Sequence, residues 1–350
     1  MDESQAESPG VFALSIHAHY ACRDAGACCS AGWTIPVEQP LRVVLGTDLL
    51  TPEADGRCRF HAPESHRCSI HHRHGHGALP LACRMFPRRA LVDRDGIHVT
   101  LSHFCPTAAG LLFDPPAPLA IVERPPAFPA AAIEDALDAR DAWPPLVAPR
   151  LLFDLDAYRR WERFVVTTLA EPGPADAALA RIAGVAEAAR AWTPAAGPMD
   201  AYLRGRIDAA ATAPSHALQR YSACAGRAAR RLALDATPAD LKPAGGGRDD
   251  DQCIDQAWDD WSQPVRYYLA AKAFASWSAY QASGVRTLVA ELVLAVGLVR
   301  AEAARLCAAA ARPLDRGALL EAIRAADWLL MHAADRHVLL KALGRIETAA

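Results

Sequence analysis

The sequence is poor in lysine and close to neutral in net charge. Only three of its 37 basic residues are lysines (Lys242, Lys272 and Lys341), and the formal net charge of the 350 residues is −3. This balance gives no electrostatic basis for binding nucleic acid or an anionic membrane surface. With 52% apolar and 22% charged residues, the composition also excludes a polybasic nucleic-acid-binding arm and a disordered chain.

Long apolar segments are missing as well. The most apolar stretch, residues 287–299, is interrupted by Glu291 and ends at Arg300, well short of the ~20 apolar residues of a membrane-spanning helix. The first ten residues, MDESQAESPG, carry no basic segment ahead of an apolar one, so no secretory signal is expected. We therefore expect a cytoplasmic protein with no membrane partner and with reduced thiols.

Several catalytic motifs are absent. The sequence has no HExxH motif of zincin-type hydrolases, no GxxxxGK[ST] phosphate loop and no GxGxxG after a predicted strand. Gly245–Gly247 precede three aspartates and indicate a loop. The CxxxCxxC spacing of radical S-adenosylmethionine enzymes does not occur. These absences leave no nucleotide-binding sheet visible in the sequence.

Clustered cysteine is the main positive feature. Seven of the ten cysteines fall in the first 105 residues. In a reducing compartment such a cluster favours metal binding over disulfides, because thiolates are soft ligands for zinc and iron–sulfur centres. The alternative is a set of buried cysteines that pack as small apolar side chains. The candidate metal ligands are Cys22, Cys28, Cys29, Cys58, Cys68, Cys83 and Cys105.

Composition divides the chain into three parts and predicts a mainly α protein. Residues 1–113 are rich in cysteine and histidine, and we expect a small, irregular metal-binding domain with one β-hairpin. Residues 114–150 contain nine prolines and favour a semi-rigid connector. Residues 151–350 contain 52 alanines and helical apolar spacing, which predicts an α-helical domain.

The predicted elements follow from local patterns. An Asp-Gly turn followed by alternating apolar residues predicts a hairpin over 91–101. A thiolate at Cys105 followed by Pro106 predicts a short helix to residue 112. Glycines, prolines and aspartates in 236–262 predict a long loop. The predicted helices cover 157–170, 175–192, 199–212, 215–234, 264–282, 285–306, 316–331 and 335–347.

The cysteine region contains motifs that identify a related family. They are Cys22…Cys28-Cys29 followed by GWTI (32–35), Cys58, CSI (68–70), LPLACRMFPR (79–88) and LSHFCP (101–106). Across residues 14–112 they resemble the cysteine-cluster family of zinc- or iron-chelating proteins, within it the branch of flagellin lysine N-methylases. The resemblance implies a cysteine-bound iron–sulfur cluster, such as 4Fe-4S, or zinc. It also implies S-adenosylmethionine and methyl transfer to surface lysines of a flagellin-like protein substrate.

Other candidates surround the cysteines. Arg84 and Arg88 could bind an anionic cofactor or substrate group, or alternatively hydrogen-bond the thiolates. Trp33 could form a wall of the cofactor pocket, or belong to the local core. Asp24 and Asp48 are the nearest acidic candidates for accepting a proton from a substrate lysine. Four histidines (His71, His72, His74 and His76) could bind a different metal or occupy a solvated flexible loop.

Three functions remain open from the sequence. The first is a lysine N-methylase-like enzyme. The second is a non-catalytic metal-binding or redox-sensing module, which a closed, fully thiolate-filled site favours. The third is a metal-dependent oxidoreductase that uses the histidines at an open metal position. In the helical part we expect Cys307 to serve packing, and only Cys253, near three aspartates, is of further interest.

Overall fold

The protein is mainly α. A computed structural model describes residues 10–128, 136–144, 148, 151–210, 216–232, 254 and 257–346. Helices make up 56% of the structure, which confirms the predicted class, and a small mixed sheet accompanies them. Among the described residues no helix is long and apolar enough to cross a membrane. The predicted loop over 236–262 and Cys253 lie largely or wholly outside these residues.

The helices fall into a cysteine-bearing half and a helical body. Four short helices belong to the first half: α1 (Gln39–Leu45), α2 (Ser69–His74), α3 (Leu81–Met85) and α4 (Pro106–Gly110). Within the residues that the structure describes, eight belong to the helical body: α5 (Leu155–Ala170), α6 (Ala175–Ala189), α7 (Met199–Ala209), α8 (His216–Leu232), α9 (Ser262–Ala273), α10 (Val285–Ala310), α11 (Arg316–Trp328) and α12 (Arg336–Leu343).

Helix α10 is the centre of the helical body. Its apolar residues are buried along most of its length, and it packs against α6, α8, α9 and α11. Aspartate side chains cap the first turns of two helices of the body: Asp154 accepts a hydrogen bond from the Ala157 amide at the start of α5, and Asp315 accepts one from the Ala318 amide at the start of α11. Seven of the eight helices predicted in this region are confirmed among the described residues, with ends that differ by a few residues.

One predicted helix is wrong in its length. The pattern over 264–282 predicts a single helix, but α9 ends at Ala273, and a separate 3₁₀ turn follows at Trp277–Tyr280. Phe274 is extended and Ala275 has a φ of 55°. The Ala275 amide donates to Oε1 of buried Glu162 at 3.1 Å. This tertiary hydrogen bond replaces the one that would continue the helix. No glycine or proline in the sequence marks the end of α9.

The sheet extends the predicted hairpin to five strands in the order β8-β1-β7-β6-β9. The hairpin β6–β7 is confirmed; at its turn, Asp93 Oδ1 accepts hydrogen bonds from the amides of Asp95 and Gly96. Strand β1 pairs in parallel with β7, a non-local pairing absent from the prediction. The strands are β1 (Val11–Leu14), β6 (Arg88–Val92), β7 (Ile97–Leu101), β8 (Ile121–Glu123) and β9 (Leu137–Asp138).

The remaining strands form two small ribbons near the cysteines. They are β2 (Ile35–Pro36) with β3 (Leu49–Leu50), and β4 (His61–Ala62) with β5 (Arg67–Cys68). The five-stranded sheet, in contrast, packs on the helical body: Leu14, Ile16 and Leu91 are fully buried in the same core as α5, α9 and α10. The sheet therefore provides a rigid base for the cysteine-bearing turns between β1 and β6.

Candidate metal centre

The cysteines lie on turns and helix starts, where short segments can point thiols to one place. Cys28 and Cys29 sit in a 3₁₀ turn, Cys68 directly precedes α2, and Cys105 directly precedes α4. The amide of Cys58 donates to the Cys29 carbonyl at 2.7 Å and so ties a distant loop to that turn. This arrangement holds together cysteines that are up to 83 positions apart (105 − 22 = 83) in the chain.

Six of the seven cysteines line one cavity of about 40 Å³, which we call the thiol cavity. The seventh, Cys58, lies beside it, because its sulfur shares a hydrogen bond with the Cys29 thiol. The structure thus brings together every cysteine of the predicted ligand set. The six lining cysteines are Cys22, Cys28, Cys29, Cys68, Cys83 and Cys105.

Hydrogen bonds among sulfurs polarise the thiols. The Cys29 thiol interacts with the sulfurs of Cys28, Cys58 and Cys68, and these bonds raise its pKa. Accepting from Cys29 lowers the pKa of Cys58 to about 6 and that of Cys68 to about 7, helped by backbone amides. Because Cys29 has a single thiol proton to donate, one of these two neighbouring sulfurs at a time is favoured as the thiolate, which is the form that binds metal.

The other thiols need a cation in order to ionise. Burial and the charges of neighbouring cysteines raise the pKa of Cys83, and burial raises the pKa values of Cys22 and Cys105. A metal ion or cluster removes that cost, because its positive charge compensates several thiolates at once. In donor chemistry the residues therefore fit a soft metal such as zinc or an iron–sulfur cluster.

The geometry of a finished metal site is not formed. Within the ranges that the structure describes, no group of three or more His, Cys, Asp or Glu side chains is arranged to hold a metal ion. The sulfurs hydrogen-bond one another instead. The match between these residues and a soft metal therefore depends on the number, burial and convergence of the thiols. Metal binding requires the cysteine side chains to turn toward a common centre.

The histidine-rich segment is not a loop. Ser69–His74 form α2, which corrects the loop interpretation. The helix directs His71 into the thiol cavity, with Nδ1 3.6 Å from Cys22 Sγ, while His72 and His74 are exposed. Of the four predicted histidines only His71 lines the thiol cavity, so the structure does not gather them into one site.

Asp24 and Tyr20 complete the polar wall of the thiol cavity. Asp24 Oδ1 accepts a hydrogen bond from the Cys68 amide at 3.1 Å, and its carboxylate lies 3.8 Å from His71 Nδ1 and 3.6 Å from His72 Nδ1. The Tyr20 hydroxyl lies 3.6 Å from Cys105 Sγ. Asp48, the other acidic candidate, is exposed and does not line the cavity.

The predicted cofactor residues lie behind the cavity wall. Arg88 stacks over the Tyr20 ring at 5.4 Å and donates to the Arg84 carbonyl. Neither arginine lines the thiol cavity. Trp33 packs edge-on against Phe86 and Phe104 and against the His332 ring. Its position agrees with the local-core interpretation.

A buried polar network that the sequence did not reveal holds the loop before Cys105. Asp327 of α11 accepts hydrogen bonds from Ser102 Oγ (2.6 Å), the Phe104 amide (3.2 Å) and Lys272 Nζ (2.6 Å). His332 Nε2 lies 2.8 Å from the same Ser102 oxygen. The network fixes the segment that ends in Cys105, so the helical body contributes to positioning a predicted ligand.

A π-helical turn makes this network possible. In a regular α-helix, residues five positions apart point about 140° away from each other. The last turn after α11, Leu329–Ala333, is π-helical, and the wider turn brings Asp327 and His332 to the same hydroxyl. No sequence signal marks this turn.

Ser102, His332 and Asp327 do not form a hydrolase triad. A carboxylate only accepts, so the Ser102 hydroxyl donates to Asp327 and accepts from His332 Nε2–H. In a triad the order is different, since the serine donates to the histidine. Ser102 is also 1% exposed. The three residues serve positioning.

Comparison with known proteins identifies no family for this chain. No protein-family model matches this chain, and no curated protein or solved structure matches it.

Proposed function

We propose that this chain is an iron–sulfur protein that methylates lysine side chains of a protein substrate, with S-adenosylmethionine as the methyl donor. The observation that carries the metal part is that six cysteines line one cavity and the seventh, Cys58, lies beside it. A structural zinc ion and a single iron–sulfur cluster each take four thiolates, so the donor set fits both, and the iron–sulfur centre is proposed from the sequence resemblance. The methyl transfer is supported by the sequence resemblance over residues 14–112.

A bound cluster supplies positive charge that holds several thiolates together. The chain's own residues then perform the remaining tasks. Asp24 lines the thiol cavity, and the exposed side chain of His72 lies next to its carboxylate. A substrate lysine ammonium gives its proton to Asp24, and His72 passes it to water. The neutral amine attacks the methyl carbon of the donor, the carbon–sulfur bond breaks, and methyl-lysine and S-adenosylhomocysteine form.

The substrate lysine comes from another chain. Residues 1–113 contain no lysine. Lys272 is buried and paired with Asp327, so it is held away from solvent and from a methyl donor. A partner with accessible surface lysines, flagellin-like by the resemblance, satisfies this requirement. The nine described cysteines are free thiols, which fits a reducing compartment, and we place the protein in the cytoplasm.

A non-catalytic metal-binding or redox-sensing module is the second candidate. The observation that favours it is the enclosure of Cys29 by three other sulfurs, which leaves little room for an open coordination position. The metal-dependent oxidoreductase loses support, because only one histidine of the predicted four lines the thiol cavity.

Mass spectrometry of lysines tests the methyl transfer. Metal-loaded protein incubated with S-adenosylmethionine and candidate surface proteins is expected to add increments of about 14 Da to lysine. Cys83→Ser is expected to abolish them, because Cys83 lines the thiol cavity. Cys307→Ser, a buried cysteine of α10, is the matched control and should retain methylation. Unmodified lysines with the metal-loaded wild-type protein would leave the non-catalytic module as the better account.

A further inference from the structure

A second, larger cavity lies against the thiol cavity. It measures about 460 Å³, in the size range of small-molecule sites. The two cavities share four lining residues, Tyr20, Ala25, Pro106 and Thr107. The second one also includes Arg316 at the start of α11, so it lies where the cysteine-bearing half meets the helical body. We call it the arginine cavity.

The charges of the arginine cavity form a mixed pattern. Arg23 and Arg316 provide two guanidinium groups and Asp114 one carboxylate. Arg316 pairs with Asp114 in an exposed ion pair. Arg23, next to Cys22 in sequence, is exposed. One guanidinium therefore stays available for a ligand carboxylate, while a carboxylate stands nearby for a ligand ammonium.

We propose that the arginine cavity binds the α-amino acid head of a small molecule whose other end reaches the thiol cavity. The ligand carboxylate binds Arg23, and the ammonium binds Asp114 of the Asp114–Arg316 pair. The shared residues Tyr20 and Thr107 form the passage between the cavities.

This inference rests on the proposed function in one respect. The methyl donor of that function, S-adenosylmethionine, has a free α-amino acid head and a sulfonium three bonds from it. With the head at Arg23 and Asp114, the cationic sulfonium lies toward the thiols, where negative charge favours it. A free amino acid such as methionine shares the head group and is the other source of the same chemistry.

Binding measurements separate these sources. We expect the anaerobically prepared wild-type protein to bind S-adenosylmethionine by calorimetry and methionine to compete for the same site. 5′-Methylthioadenosine, which lacks the amino acid head, should bind at least about tenfold more weakly. Methionine binding as tightly as S-adenosylmethionine would support the site and identify a free amino acid as its ligand.

Two variants test whether the charges of Arg23 and Asp114 bind the ligand. Arg23→Gln and Asp114→Asn are each expected to weaken S-adenosylmethionine binding about tenfold or more, with 5′-methylthioadenosine unaffected. Arg73→Gln is the control, because Arg73 is exposed in the same half and lines neither cavity. Metal content and circular dichroism of each variant report whether the fold and the thiol cavity are retained.

Three results would overturn the proposal. They are unchanged S-adenosylmethionine affinity in Arg23→Gln, 5′-methylthioadenosine binding as tightly as S-adenosylmethionine, and no binding of either amino acid ligand to the wild-type protein. Metal analysis of the same samples separates this proposal from the proposed function. Metal together with S-adenosylmethionine binding that does not depend on Arg23 refutes only the arginine cavity, metal without any S-adenosylmethionine binding refutes both the arginine cavity and the proposed methyl transfer, and Arg23-dependent binding without metal refutes only the metal centre.

Discussion

Removal of the metal is expected to make residues 22–86 cleavable by trypsin about tenfold faster or more, while helices α5–α12 stay resistant. The segment contains seven arginines and no lysine, so it offers several cleavage sites. Its strands are only two residues long, and its small core includes Cys29 and Cys68 themselves. Without a cation, thiolates brought together by the fold repel one another.

The same result is expected when a ligand is removed by mutation. Cys83→Ser should expose the segment to trypsin and lower the melting temperature, because it deletes a donor on the wall of the thiol cavity. Cys307→Ser, buried in α10, should leave the cleavage pattern within 22–86 unchanged. An identical pattern before and after chelation would show that the metal is not needed to hold these turns together.

Asp327→Asn is expected to destabilise the protein by about 3–5 kcal/mol at neutral pH, because it leaves a buried charge without its partner. Asp327 is fully buried, and Lys272 Nζ lies 2.6 Å from its carboxylate. Burial alone would raise the pKa of Asp327, but the positive charge of Lys272 and the hydrogen bonds from Lys272 and Ser102 hold it well below its usual range. The amide of asparagine cannot neutralise the ammonium.

A double variant tests whether the unpaired buried charge causes this loss of stability. Lys272→Met combined with Asp327→Asn should recover part of the lost stability, since both charges of this buried pair are then removed. Asp138→Asn is the control, because its pair with Arg140 is exposed, and its melting temperature should stay at the wild-type value. Chemical denaturation measures all three. Equal stability of Asp327→Asn and wild type would mean that the network does not secure the loop before Cys105.

The hairpin and the helices, which local interactions determine, were predictable from local sequence patterns. The hairpin was predictable because the Asp-Gly turn and the alternating residues of β7 lie within eleven positions. Helices α5 to α12 were predictable because apolar spacing and aspartate caps act within one or two turns. The break after Ala273 was not, since it depends on Glu162 of another helix.

Non-local contacts explain the rest. Strand β1 pairs with β7 across 86 positions (97 − 11 = 86), and no local signal specifies that pairing. The cysteine set was predictable as a group from its spacing and density. The contacts between individual sulfurs were not predictable, because a backbone hydrogen bond between distant loops places Cys58 against Cys29. Asp327 lies 225 positions from Ser102 in the chain, so its role before Cys105 required the structure.

Metal analysis after anaerobic purification tests the central claim most directly. The measurement combines iron and zinc content per chain, the visible spectrum and the number of thiols that react before and after unfolding. We predict stoichiometric metal, an iron–sulfur absorption that bleaches on reduction, protection of the seven clustered thiols, and loss of all three signals in Cys83→Ser but not in Cys307→Ser. A metal-free, colourless protein whose clustered thiols react freely in the folded state would contradict a cysteine-bound metal centre.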